Sequence, residues 1–353
     1  LSAATIPVTT TNPTVSADGQ CSLIEAIDNA NADAAAHADC PAGSGADTLE
    51  LASSALYELD QVHINHYGPN GLPIIGSAIT IQGHGSTIRR AAGAPDLRIL
   101  AVNSSGILRL YDLTLRSGDP GTDNVGGAVL SDAGVVELVR TQVTENTAQS
   151  GGGLYNDSGV MNLTDSEVSL NVAQDGGGGI FSNAQVGDAT LVLERTAVTG
   201  NASVSYGGGG IFTDYSGSWR PDLQVTSSMI SGNTAFWMGG GILAWRGDTT
   251  IEDSTISGNH AESGGGLTVF HSTATIAGCT ISDNTAETAG DIGGAGGGIG
   301  VSMAVINISN STISGNEARG AATTAFYSGR GGGIGLIGME HDQPEYSGAI
   351  NEN

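Results

Sequence analysis

The sequence predicts an all-β chain wound as a right-handed parallel β-helix, with a short capping helix over its N-terminal end. Three observations predict it. A phrase of Ser/Thr-x-Asn returns at Asn146, Asn171, Asn201, Asn233, Asn259, Asn284 and Asn316, at intervals of 25 to 32 residues. A glycine run closed by an aliphatic residue returns with it, at Gly153-Leu154, Gly179-Ile180, Gly210-Ile211, Gly241-Ile242, Gly266-Leu267, Gly298-Ile299 and Gly333-Ile334. Between the two lie short alternating runs such as Leu191-Val192-Leu193 and Val305-Ile306-Asn307-Ile308. Self-similarity at such a period marks a solenoid, and period-two alternation of this length marks half-buried strands.

Each repeat has room for about three strands of three to five residues. At ~3.3 Å per residue, ~25 residues close one turn of a triangular coil, and coils stacked ~4.8 Å apart place equivalent residues in columns. Asparagine suits such a column because it tolerates left-handed turns and its amide can bond the amide of the next coil. Glycine runs permit a sharp turn with positive φ where side chains would collide. A second column reads Thr141, Ser166, Thr196, Ser228, Ser254, Cys279 and Ser311, which places Cys279 inside a coil as a small hydrophobe.

Taken in order, residues 1–46 form an N-terminal unit and residues 47–353 the β-helix, with regular coils from about residue 126. Ile6 to Thr11 reads as an extended strand entering the fold. Ser22 followed by Glu25 is a capping box, and Leu23, Ile27 and Ala30 share one helical face. A helix from Ser22 to about Asn31 follows, laid across the open first coil to protect its edge. Cys21 and Cys40 flank it. A disulfide is the natural reading for an extracellular-looking chain. Two free buried thiols are the weaker alternative, because both lie beside polar loop residues. Less regular coils are expected at Thr48–Leu51, Ile79–Ile81, Ile99–Val102 and Leu113–Leu115. The loop of residues 62–73 carries His63, His66 and Tyr67. It is read as a solvated polar turn, and no metal or cofactor is expected.

Eleven positive residues, all arginine, face 36 acidic ones for a net charge of −25. That balance argues against nucleic acid or an anionic membrane as partner. No apolar run reaches the ~18 residues of a membrane span. A start at Leu1 without Met reads as a processed N-terminus. The last coil runs to Asn353 without a polar closing element, which leaves that end open to end-to-end self-association.

Cys21-Ser22-Leu23-Ile24-Glu25-Ala26-Ile27, followed by Asn29-Ala30-Asn31, is similar to the CSLREAI-type motif of secreted bacterial proteins, with Ile24 where arginine is usual. Cys40 to Thr48 and Gly68 to Pro73 also resemble that family. The later repeats resemble the β-helix and polymorphic outer-membrane repeats of surface proteins. The resemblance covers nearly the whole chain and implies a secreted or surface-anchored β-helix, often followed by an anchor. It implies no reaction and no catalytic residue.

Function is therefore read from the outward columns. In the strand after each glycine run, the first residue should point inward and the second and fourth outward. The second positions are Leu130, Tyr155, Phe181, Phe212, Leu243 and Thr268; the fourth are Asp132, Asp157, Asn183, Asp214, Trp245 and Phe270. One face then carries an acidic row running into an aromatic one. Trp219, Trp237 and Trp245 fall close together, with Arg220 and Arg246 directly after two of them. Such a cluster marks a contact site. Trp219, Arg220, Trp237, Trp245, Arg246 and Phe270 are the expected ligand-binding residues, for a glycan or a surface protein. The chain is then an extracellular or cell-surface rod with a binding, adhesive or structural role. The alternative is a polysaccharide-degrading enzyme. Asp157 and Asp214, two coils or roughly 10 Å apart, would be the carboxylate pair of an inverting hydrolase. A lyase is disfavoured by the absence of lysine. Ice binding, which needs a flat threonine array, fits least.

Overall fold

The computed structural model describes residues 3–215, 217–287, 296–319 and 331–336, and the backbone of 349–352. Among these, parallel strands stack into a twenty-stranded, a nine-stranded and a seven-stranded sheet, with an antiparallel pair at Ile64–Asn65 and Pro69–Asn70. The chain is thus a β-solenoid of about nine turns. No helix among the described residues is long and apolar enough to cross a membrane.

One coil shows how the sequence produces the shape. Val160–Thr164 and Glu167–Ser169 lie in the large sheet, Val172–Ala173 in the narrow sheet and Ile180–Ala184 in the nine-stranded sheet. Each regular coil therefore has four segments rather than three. The extra break comes from one left-handed residue, Asp165 with φ 49° here and Arg195 with φ 49° in the next coil. Register is kept from coil to coil, so Leu163, Leu193, Val225, Ile251 and Ile276 line up. Leu154, Ile180, Ile211 and Ile242 form another such column, and all of these are buried. Burying one such aliphatic side chain contributes about 1.5–3 kcal/mol.

The asparagine column is continuous. Each buried Asn donates its backbone N–H and its side-chain amide to the Oδ1 of the Asn in the next coil, from Asn146 to Asn316. The Ser/Thr column works similarly: Thr196 N–H donates to Ser228 Oγ and Ser228 N–H to Ser254 Oγ, both at 3.0 Å. Cys279 takes the same place, buried and unbridged. The glycine run has two distinct causes. Gly208 has φ +65°, whereas a Cβ on Gly209 would lie 2.4 Å from the carbonyl oxygens of Gly240 and Thr234. Positive φ and close coil-to-coil approach are thus divided between neighbours in the run.

The helix α1 (Leu23–Ala32) has Ser22 as N-cap with the capping box closed by Glu25, and Asp33 ends it at φ 50°. Ile24, Ile27 and Ala30 press on the core, and Asn31 fastens the helix to the first coils through Ile74 O and Gly76 N, both at 2.8 Å. Cys21 and Cys40 are joined in a disulfide. Among the described residues ahead of the helix only Thr5–Pro7 is a strand, paired with Asp47–Glu50. The open C-terminal end expected from the sequence falls outside the described residues.

The surface is laced with ion pairs, most of them between neighbouring coils. Arg140 is bidentate to Asp112, and Arg195 to Asp165 and onward to Glu194. Arg89, Arg90, Arg109, Arg116 and Arg319 each reach a carboxylate as well. Arg98 differs. It is fully buried and donates to carbonyl oxygens of Tyr67, Val125 and Gly126 and to Asn70 Oδ1, tying two loops together. Burial lowers its pKa to about 9, which still leaves it charged at neutral pH.

Candidate functional site

The nine-stranded sheet positions the candidate site on its outer face. Its strands place Asp132, Asp157, Asn183 and Asp214 in one row, and Trp245 pairs with Phe270 farther along the same sheet. Asp157 and Asp214 lie two coils apart, so ~10 Å along the axis. Both carboxyls are half-buried and pushed above the usual carboxylate range, first by burial. Ser158 Oγ donates to Asp157 Oδ1 at 3.0 Å, and Tyr215 N–H to Asp214 Oδ1 at 2.7 Å. Between them, the Asn183 amide donates to the Tyr155 hydroxyl at 3.1 Å. Burial raises the Tyr155 and Tyr206 hydroxyls to about 12, so both stay protonated donors.

The second-position column points away from the central core as expected, but it is not exposed. Leu130, Tyr155, Phe181, Phe212 and Leu243 are buried in a second apolar cluster outside the sheet, backed by Tyr206, Trp237 and Trp245. The covering comes from the segments that lead into the glycine runs. A Cβ on Gly176 would lie 2.5 Å from Phe212 Cδ1, and one on Gly207 2.4 Å from Leu243 Cδ2. The chain arches back over its neighbouring coil there, and only glycine permits the approach. A large apolar residue at this position in five successive coils, from Leu130 to Leu243, was the signal in the sequence, since an exposed column would not keep it so consistently.

The aromatic rings form one continuous file along the rod. Tyr155 stacks on Phe181 at 5.0 Å, Phe181 meets Phe212 edge-on at 4.6 Å, and Tyr206 links Phe212 to Trp237 and Trp245. Trp245 then packs on Phe270 at 4.4 Å, and Phe270 on His271 at 4.6 Å.

Of the residues singled out from the sequence, the structure brings Trp237, Trp245 and Phe270 into this file. Trp237 and Trp245 are half-buried. Phe270 is only 3% exposed, so it supports Trp245 from behind rather than facing solvent. Trp219 stands apart, 43% exposed, in a pocket of about 340 Å3 with Tyr215, Arg220, Arg246 and His271. Arg246 joins the two groups: it directly follows Trp245, and its guanidinium carbon lies 4.0 Å from the centre of the Tyr215 ring. His63, His66 and Tyr67 are exposed on their loop, with His66 packed on the Tyr67 ring at 4.1 Å. Among the described residues no three His, Cys, Asp or Glu side chains gather as a metal site.

No family model matches this sequence, and no curated protein matches it either.

Proposed function

We propose that the chain is an extracellular or cell-surface rod that binds a saccharide chain along the outer face of its nine-stranded sheet. One observation carries the reading: the axial row Asp157–Asn183–Asp214 continues into the half-buried indole of Trp245, held from behind by Phe270. A sugar chain presents apolar ring faces and hydroxyl edges in alternation. Indole faces match the first, and the half-buried carboxylates of Asp157 and Asp214 match the second. The rigid solenoid holds these groups without any ordering cost on binding. The Cys21–Cys40 disulfide supports an oxidising, extracellular setting.

Titration of the purified protein with neutral oligosaccharides, followed by tryptophan fluorescence, tests this reading. Trp245→Ala should weaken binding at least about tenfold, the equivalent of ~1.4 kcal/mol. Unchanged affinity in that variant would reduce the aromatic file to packing.

A second reading has its own support. Asp157 and Asp214 have carboxyls raised by burial and a two-coil separation close to the ~6.5–9.5 Å of inverting glycosidases. Release of reducing ends, lost in both Asp157→Asn and Asp214→Asn, would replace the binding role by hydrolysis.

A further inference from the structure

The arginines among the described residues are otherwise accounted for. Among the described residues every arginine but three lies within 4 Å of a carboxylate, and the buried Arg98 is enclosed by carbonyl oxygens. The remaining two, Arg220 and Arg246, make no such pair and line the same pocket. A net charge of −25 supplies carboxylates in excess, so two unpaired guanidinium groups converging on one concavity are not a consequence of scarcity.

We propose that the pocket walled by Trp219, Arg220, Arg246 and His271 binds a single anionic substituent, a carboxylate or a sulfate ester, on the saccharide held by the aromatic row. The inference rests on the glycan reading above and adds the charge of the ligand. Arg246 is placed for it. Stacking over Tyr215 occupies a face of the guanidinium and leaves its in-plane N–H donors for a bidentate contact with an oxyanion. Trp219 offers an exposed indole face beside it for the sugar ring that carries the anion. The ~340 Å3 of space falls within the ~300–1,000 Å3 of small-molecule sites.

Nearby carboxylates set the limit on the charge. Asp188 accepts the Arg220 backbone N–H at 2.9 Å, Asp214 feels the charge of Arg246, and Asp222 lies near Asp248. A densely charged polymer would meet all of these and be repelled, whereas one anion on an otherwise neutral chain meets only the arginines.

The test compares four probes by calorimetry and tryptophan fluorescence: a neutral xylo-oligosaccharide, the same chain bearing one glucuronic acid, a galacto-oligosaccharide bearing one sulfate ester, and its unsulfated parent. The native protein should bind at least one charged probe tenfold or more tighter than its neutral parent. Which one it prefers tells carboxylate from sulfate. Arg220→Gln with Arg246→Gln should abolish the preference, bringing the charged chain and its neutral parent to equal affinity, and its melting temperature should stay that of the native protein. Equal affinity for charged and neutral chains overturns the anion pocket and leaves the glycan reading standing. A preference that survives the double substitution also overturns it. Binding of neither kind of probe removes the glycan reading and the pocket with it.

Discussion

Asn259 donates twice to one oxygen of Asn284, from its backbone N–H at 3.0 Å and its side-chain amide at 2.9 Å. The same amide also reaches back to the carbonyl of Ile230 at 2.9 Å. One residue thus ties three coils, and its own Oδ1 takes both donors of Asn233.

Replacing Asn259 by leucine strips partners from buried groups on both sides of it. The rod should lose roughly 1–3 kcal/mol in chemical denaturation. A loss within measurement error would mean that the column is ornamental.

The Cys21–Cys40 bridge closes a loop of sequence separation 19 around the capping helix. Cys40→Ser should cost about 3 kcal/mol on the chain-entropy account. Hydrogen exchange across residues 23–32 should rise first, because the helix covers the end of the core. Non-reducing peptide mapping should find this crosslink, with Cys279 slow to react; a crosslink to Cys279 instead would overturn the stacking order.

Arg98→Met leaves the carbonyls of Tyr67, Val125 and Gly126 and the Asn70 side chain without their donor. A destabilisation of about 2–4 kcal/mol is expected, with faster proteolysis in residues 62–73. Intact loops and unchanged stability would show that water replaces the guanidinium freely.

Asp157 and Asp214 titrate above the usual carboxylate range because burial disfavours their charge. Where these carboxyls are ionised, only the fold bears the lost hydration. As pH falls, the folded state takes up these protons first, so their contribution to stability rises on acidification. Asp214→Asn should therefore raise the melting temperature at neutral pH, and the gain should fade towards the ordinary carboxylate value of about 3.9. Asp112 and Asp165 behave oppositely. Hydrogen bonds from Arg140 and Arg195 hold them low, so their contribution is present above the unfolded value and lost as pH falls through the folded one. A melting temperature for Asp214→Asn below that of the native protein at neutral pH would contradict this assignment.

What the sequence determined by itself is what repeats or is local. The spacing of Asn146 to Asn316 carries the coil, because each asparagine of the column bonds its counterpart one coil away. The alternation in Leu191-Val192-Leu193 carries the inward face, because side chains alternate whatever lies around the strand. Ser22 and Glu25 carry the helix start, because a capping box closes within four residues. The tertiary structure alone decided what covers what. Tyr155, Phe181 and Phe212 point outward by register, yet the arches at Gly176 and Gly207 bury their column, and the apolar column alone does not say which segments cover it. Phe270 ended behind Trp245 for the same reason. Which arginines find carboxylates was equally closed to the sequence. Arg140 and Arg195 meet acids roughly thirty residues away across a coil, whereas Arg220 and Arg246 open onto a pocket. Charge pairing depends on distances of a few ångströms between side chains far apart in the chain, and only the stacking of coils sets those.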